Sequence, residues 1–225
     1  VEQPQTTKFA KRDYTHVATF YDVIARLWSF GLIRKSKMVE LDYMPAGSRV
    51  LFLGVGTGEE AVEAAARGLK VTTIDLAGRM TRRLDRALAA RGLKATTITG
   101  DAMTYEPAER FDVVCGNYFF NLFASGDMEQ VLLRTSRLVR PGGRMMIADM
   151  APQSGLLAPF GWLYLKAGLS FFWVLGLASQ HPIYDYADIA SKHGFRVEAM
   201  HDFGPSSMPL YRAVVLVPPG PEETA

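Results

Sequence analysis

Three glycines at alternate positions, Gly54, Gly56 and Gly58, follow the apolar run Val50-Leu51-Phe52-Leu53 and lead straight into Glu59 to Ala66, a strong helix-forming run closed by Gly68. Glycine takes positive φ and carries no Cβ, so a ligand can lie directly on the main chain there. The unpaired N–H groups at a helix start, and the positive end of its dipole, favour an anionic group. Asp75 ends the next apolar run about twenty residues after Gly54, the spacing of a carboxylate that holds a ribose. The chemistry implied is recognition of a nucleoside with an anionic end. A dinucleotide fingerprint would need glycine at position 59, where Glu59 stands, so hydride transfer falls behind.

These residues need elements to position them. Apolar runs predict strands over 50–53, 71–74, 96–98, 113–115 and 145–148, alternating with helices near 59–67, 78–91 and 127–139. Such alternation implies right-handed βαβ crossovers and a mainly parallel sheet. Ligands then sit at the carboxyl ends of the strands, where Gly54, Asp75, Asp101 and Asn117 all fall. Pro141-Gly142-Gly143 reads as a turn. Two late strands, 195–200 and 211–217, form a hairpin-like pair that closes the sheet. The fold class expected is α/β: a Rossmann-like, doubly wound, seven-stranded, mainly parallel sheet with an N-terminal helical cap and an apolar lid insertion.

Beyond the glycine loop, the chain resembles the class I S-adenosylmethionine-dependent methyltransferases over most of residues 14–150. The matching pieces are Gly54-Val55-Gly56-Thr57-Gly58, Thr73-Ile74-Asp75-Leu76, Gly100-Asp101-Ala102, Phe111-Asp112-Val113-Val114 and Leu138-Val139-Arg140-Pro141-Gly142-Gly143-Arg144. Each is weak alone; five in order and at the right spacing are specific. Tyr21-Asp22 followed by Trp28-Ser29-Phe30-Gly31 is similar to the start of the ubiquinone/menaquinone C-methyltransferases.

The resemblance implies S-adenosyl-L-methionine as cofactor. Gly54, Val55, Gly56, Thr57 and Gly58 would lie under its nucleoside and methionine portions, and Asp75 would accept from both ribose hydroxyls. Leu76 and Met80 would be among the cofactor-binding positions, and Asp101 with the Ala102 N–H would read the adenine edge. Tyr21 would approach from the capping helix. Asn117 and Tyr118 would face the methyl-transfer zone, where a carbonyl or an aromatic face suits a sulfonium. Two departures stand out. The family usually has an acid where this chain has Phe52, and that acid helps anchor the methionine ammonium. The quinone C-methyltransferases carry an arginine where this chain has Phe120, before the asparagine matching Asn121, so methylation of oxygen or nitrogen competes with methylation of a quinone ring carbon.

At 225 residues one domain with a sizeable core is expected. Its parts divide as an N-terminal helical cap over 1–45, the cofactor-binding core over 46–150, the lid over 151–184, a closing helix and strands over 185–217 and a tail over 218–225. Lysine and arginine total 25 against 23 acids, which gives no charge-based case for nucleic acid. Arg79, Arg82, Arg83, Arg86 and Arg91 read as the solvated face of a helix whose buried stripe is Met80, Leu84 and Leu88. The single cysteine, Cys115, lies in an apolar strand and reads as core, compatible with a reducing compartment. Val1 to Gln5 is polar and lacks a signal-peptide h-region, which makes a cytoplasmic protein the expectation.

The stretch 156–178 is apolar except for Lys166 and Ser170. Pro159, Gly161, Gly168 and Gly176 are expected to break its helical continuity, and the return of the chain to the sheet argues against a membrane span. It reads as a lid that meets an apolar substrate or a bilayer surface; a buried insertion or a homodimer seam is the alternative. Methyl transfer from an activated donor asks chiefly for alignment. Where the acceptor must lose a proton, His181 after the lid is the first candidate base, His16 on the capping helix the second, with Tyr118 beside the reacting centre. No residues show metal-ligand spacing. The reading is methyl transfer to an apolar small molecule; a membrane-surface enzyme acting on a prenyl quinone or lipid headgroup, and a non-catalytic binder motivated by Phe52, are its rivals.

Overall fold

The computed structural model describes residues 26–174 and 182–220. Seven strands form one sheet: β1 (Arg49–Leu53), β2 (Lys70–Asp75), β3 (Thr96–Thr99), β4 (Phe111–Cys115), β5 (Val139–Met150), β6 (Arg196–Phe203) and β7 (Tyr211–Val217). Their order is β3-β2-β1-β4-β5-β7-β6, with β1 to β5 parallel and β7 antiparallel to both its neighbours. The expected seven-stranded, mainly parallel sheet is therefore present. β1 pairs with β2 on one side and β4 on the other, so the strand order reverses at β1 and opens a crevice at its carboxyl end.

Strands buried on both faces read as continuous apolar runs, and side-chain alternation then sorts them into two cores. On one face Val50, Phe52, Val113, Cys115 and Met146 pack against the helices α1 (Leu32–Met38), α2 (Glu59–Ala66) and α3 (Gly78–Ala90), and against the 3-10 turn Val39–Tyr43. On the other, Leu51, Leu53, Val114, Met145 and Ile147 pack against α4 (Ser125–Ser136) and α6 (Tyr186–Lys192). On α3 the fully buried positions are Thr81, Leu84 and Leu88, with Met80 half-buried beside them; Arg82, Arg86 and Arg91 are exposed as expected.

Two expectations are corrected. After β5 the described part of the stretch 156–178 holds one helix, α5 (Ala158–Val174), running unbroken through Gly161 and Gly168, while Gly176 lies outside the described residues. Pro159 falls in the first turn, where a missing N–H costs nothing. The two glycines are points of close approach: a Cβ on Gly168 would come within 2.7 Å of the Trp28 indole nitrogen, and one on Gly161 would overlap the Gln153 side chain. Pro141-Gly142-Gly143 does not end a strand but bulges within β5. Pairing jumps from Phe111 opposite Val139 to Val113 opposite Arg144. A Cβ on Gly143 would stand 2.7 Å from the Asp112 carbonyl oxygen, so only glycine lets the strands meet there.

Candidate functional site

The glycine loop leaves β1 and enters α2 through three left-handed residues: φ is 73° at Gly54, 52° at Gly56 and 72° at Gly58. Each glycine has its own surroundings. A Cβ on Gly54 would touch the Phe119 ring, one on Gly58 would meet Leu84 at 2.9 Å, and one on Gly56 would stand in open space. The first and third thus let ring and helix pack, and the middle one leaves the main chain bare. The Gly54 N–H donates to the Ile74 carbonyl and the Gly58 N–H to the Val55 carbonyl, while those of Gly56 and Thr57 meet no acceptor among the described residues.

Asp75 closes the loop onto β2. Its Oδ2 accepts the Val55 N–H and its Oδ1 the Ala77 N–H, each at 2.7 Å. The carboxylate is turned into the crevice, and each oxygen keeps a lone pair for a further donor. Leu76 beside it is 68% exposed. At the end of β3, Asp101 is exposed and accepts the Met103 N–H through Oδ1, and Ala102 is buried beneath it. Gly54 to Gly58, Asp75, Leu76, Asp101 and Ala102 therefore lie at or just past the carboxyl ends of β1, β2 and β3.

Asn117 and Tyr118, past the end of β4, prove to be tied to other elements. Asn117 Oδ1 accepts the Ala148 N–H, and its Nδ2 donates to Glu40 Oε2 at 3.0 Å. Tyr118, with φ at 51°, shares a 3.0 Å hydrogen bond with the buried Ser36 hydroxyl and sets its ring edge-on to Tyr211. Burial pushes its phenol well up, which suits it to hydrogen bonding rather than proton abstraction. Tyr21, His16 and His181 lie outside the described residues.

Sequence reasoning missed a buried polar cluster on the α1–α2–α3 face. Lys37 of α1 donates to the loop hydroxyl of Thr57 at 3.1 Å and pairs with Glu60 of α2 at 2.9 Å, both side chains nearly inaccessible. Glu40, in the following 3-10 turn, is fully buried; burial, reinforced by the Glu60 charge, raises its carboxyl to about 8 against the opposing Asn117 hydrogen bond. The buried Cys115 thiol lies beside it and is itself pushed up by burial. On the opposite face Asp149, near the end of β5, accepts from Tyr186 Oη, Asn121 Nδ2 and its neighbour Met150 N–H. Burial raises it to about 7. Asp149 was legible as a lone acid in the run Met145-Met146-Ile147-Ala148; Glu40 and Lys37, in a stretch rich in charges, were not.

Beyond the ends of β5 and β7, Met150 and Tyr211 pack with Leu165 and Leu169 of α5, joined by Tyr118, Tyr164, Leu32 and Ile33. Trp28 stacks on Tyr164 and Phe171, with centroids 5.5 and 6.2 Å away. The opposite side of α5 shows Phe160 and Leu163, 64% and 68% exposed.

Comparison with known proteins fits this geometry. Residues 50–143 match the family model described as a methyltransferase domain. The chain is 33% identical over 144 residues to a demethylmenaquinone methyltransferase of Thermus thermophilus, an alignment covering 62% of this chain and 64% of that protein, less than two thirds of its length. It is 30% identical over 182 residues to the ubiquinone/menaquinone biosynthesis C-methyltransferase UbiE of Geotalea daltonii, covering 76% of this chain and 74% of the relative. The chain belongs to the class I S-adenosylmethionine-dependent methyltransferases, on this quinone-biosynthesis branch. The fold agrees with the crystal structure of the N-methyltransferase NodS from Bradyrhizobium japonicum in complex with S-adenosylhomocysteine. The TM-score is 0.63 at 15% identity, covering 85% of this chain and 88% of that one. The cofactor of the family fits the residues present: bare main chain at Gly56, two uncommitted N–H groups and an inward carboxylate at Asp75 supply what an adenosyl amino acid requires.

Proposed function

We propose that the chain transfers a methyl group from S-adenosylmethionine to an apolar small molecule. The observation that carries the reading is the crevice where strand order reverses, in which the bare Gly56 main chain follows Val55, whose N–H is held by the Asp75 carboxylate. A bound sulfonium cofactor supplies an already activated methyl group, so the residues need mainly to bind, align and exclude water. Asp75 holds the ribose, the uncommitted N–H groups of Gly56 and Thr57 receive the anionic end, and Asp101 with Ala102 flanks the base. On the acceptor side, Tyr118, Tyr211 and Tyr164 pack with Leu165 and Leu169 in one apolar, aromatic cluster, which supports an apolar acceptor and the reading of α5 as a lid.

Labelled S-adenosylmethionine incubated with the purified chain and a panel of phenols, amines and prenylated quinols tests this. Label in an apolar acceptor is expected. Tight cofactor binding with no transfer to any acceptor would replace the enzyme by a binding protein.

A second reading has one observation in its favour: Leu156 just before α5, and Phe160, Leu163 and Phe171 on it, are exposed apolar residues. It places the chain on a bilayer surface, methylating a prenyl quinone or lipid headgroup there. Among the described residues no helix is long and apolar enough to cross a membrane. Flotation with liposomes separates the two readings. Phe120, wholly buried against Gly116, fills the position of the arginine of the quinone enzymes and weighs toward other acceptors.

A further inference from the structure

An adenosyl amino acid brings cationic charge into its site as well as an anionic end, and a carboxylate is the most favourable partner for that charge. The carboxylates near the crevice that are shielded from water are already engaged, with one exception. Asp75 accepts a main-chain N–H on each oxygen, and Glu60 is paired with Lys37. Asp149 takes three donors on the opposite face of the sheet. Glu40 accepts the Asn117 amide through Oε2 and has the weakly donating Cys115 thiol beside it; its Oε1 is buried with no geometrically formed hydrogen bond, the only such carboxylate oxygen among the described residues.

Its position is suitable. Cys115, beside Glu40, lies opposite Phe52 in the β1–β4 register, so the carboxyl stands against the carboxyl ends of these two strands, two residues short of Gly54. Lys37, one helical turn earlier, reaches Thr57 of the loop, which anchors this segment to the glycine turn. Phe52 itself has no charge to offer.

We infer that Glu40 is the carboxylate that receives the ammonium of the cofactor's amino-acid end, supplied by the segment before β1 rather than by β1 itself. This rests on the reading of the site as one for S-adenosylmethionine. The groups facing Glu40 are Lys37 of α1, Glu60 of α2, Cys115 of β4, and Asn117 and Tyr118 after β4. Lys37 is committed to Glu60 and Thr57, so without a ligand the Glu40 carboxyl holds its proton at neutral pH. Arrival of an ammonium favours the ionised form, and the proton leaves to solvent.

Titration calorimetry with S-adenosylhomocysteine, and with 5′-methylthioadenosine, which shares the nucleoside but has no amino-acid end, tests the assignment. Glu40→Gln keeps the shape and the Asn117 contact. It is expected to weaken S-adenosylhomocysteine by about tenfold or more while changing 5′-methylthioadenosine by less than about twofold. Equal losses for both ligands, or no loss for the first, overturn the inference. The wild-type chain provides a check independent of any variant. In buffers of differing ionisation enthalpy near neutral pH, S-adenosylhomocysteine is expected to release a proton on binding and 5′-methylthioadenosine none; equal proton counts overturn it. Wild-type protein that binds neither ligand would instead sink the functional reading on which the inference stands.

Discussion

Two buried carboxylic acids stand near the carboxyl ends of strands β4 and β5, one on each face of the sheet. Asp149 is surrounded by donors: a phenol, an amide and a main-chain N–H converge on its two oxygens. Glu40 has one amide donor, a weak thiol neighbour in Cys115 and a buried oxygen with no hydrogen-bond partner. Both acids are driven up by burial, to about 7 and about 8. The difference lies in what would replace the lost water. Where the chain supplies every partner, the acid cross-links its own elements, here β5, α6 and the turn after β4. Where it leaves one out, the energetic cost of an unsatisfied buried oxygen is tolerated for something that arrives later.

That contrast can be broken most forcibly at Asp149. Asp149→Ala strands the Tyr186 hydroxyl and the Asn121 amide together, and is expected to cost about 3 kcal/mol or more in chemical denaturation. A loss under about 1 kcal/mol would show that the network is not structural.

The pH dependence of stability comes next. Both acids have folded values raised above their ordinary 3.8 and 4.5, so the folded chain keeps protons that the unfolded chain releases. Their contribution is fully present below about 4 and is lost as pH rises to about 7 for Asp149 and about 8 for Glu40. The ligand-free chain should lose more than about 1.4 kcal/mol of stability across that window, the equivalent of one pKa unit. Glu40→Gln should remove the part of the slope above about pH 7. A profile that rises with pH would contradict both assignments.

Asp75→Ala is a smaller effect read on the ligand. It unpins the loop from β2 and removes the ribose partner, so S-adenosylhomocysteine should bind at least about tenfold more weakly, about 1.4 kcal/mol. Unchanged affinity in calorimetry would remove the proposed pocket. Smallest is Tyr186→Phe, which deletes one of the three donors to Asp149. It should cost about 1 kcal/mol in denaturant unfolding and leave nucleoside affinity unaltered. A matching loss of affinity would erase the distinction between the two faces.

The parts of the site legible in the sequence are those where the main chain dictates the residue. Only glycine takes the left-handed turns at 54, 56 and 58 freely, and an acid ending β2 has few alternatives to the crevice. Glu40 was hidden because Arg34 to Tyr43 alternates charge and apolar bulk like any surface helix; its burial arises when α1 meets α2 and β4, a tertiary fact with no local mark. The continuity of α5 was misjudged for a related reason. Local propensity counts Gly161 and Gly168 as breakers, whereas packing against Gln153 and Trp28 selects them. Asn117 lies just past the end of β4 as expected, yet its amide is engaged by Glu40 and Ala148.

The strand order carries a consequence for how the molecule is made. β7 lies between β5 and β6 and is the only strand paired with β6 among the described residues, although it is synthesised after both. While the ribosome is still extending the chain, one flank of the nascent sheet stays open and β6 has nothing to dock on until 211–217 has emerged. The apolar edge of β5 is therefore bare during that interval, which is when a chaperone would be most useful to this protein and when a premature stop would be most damaging.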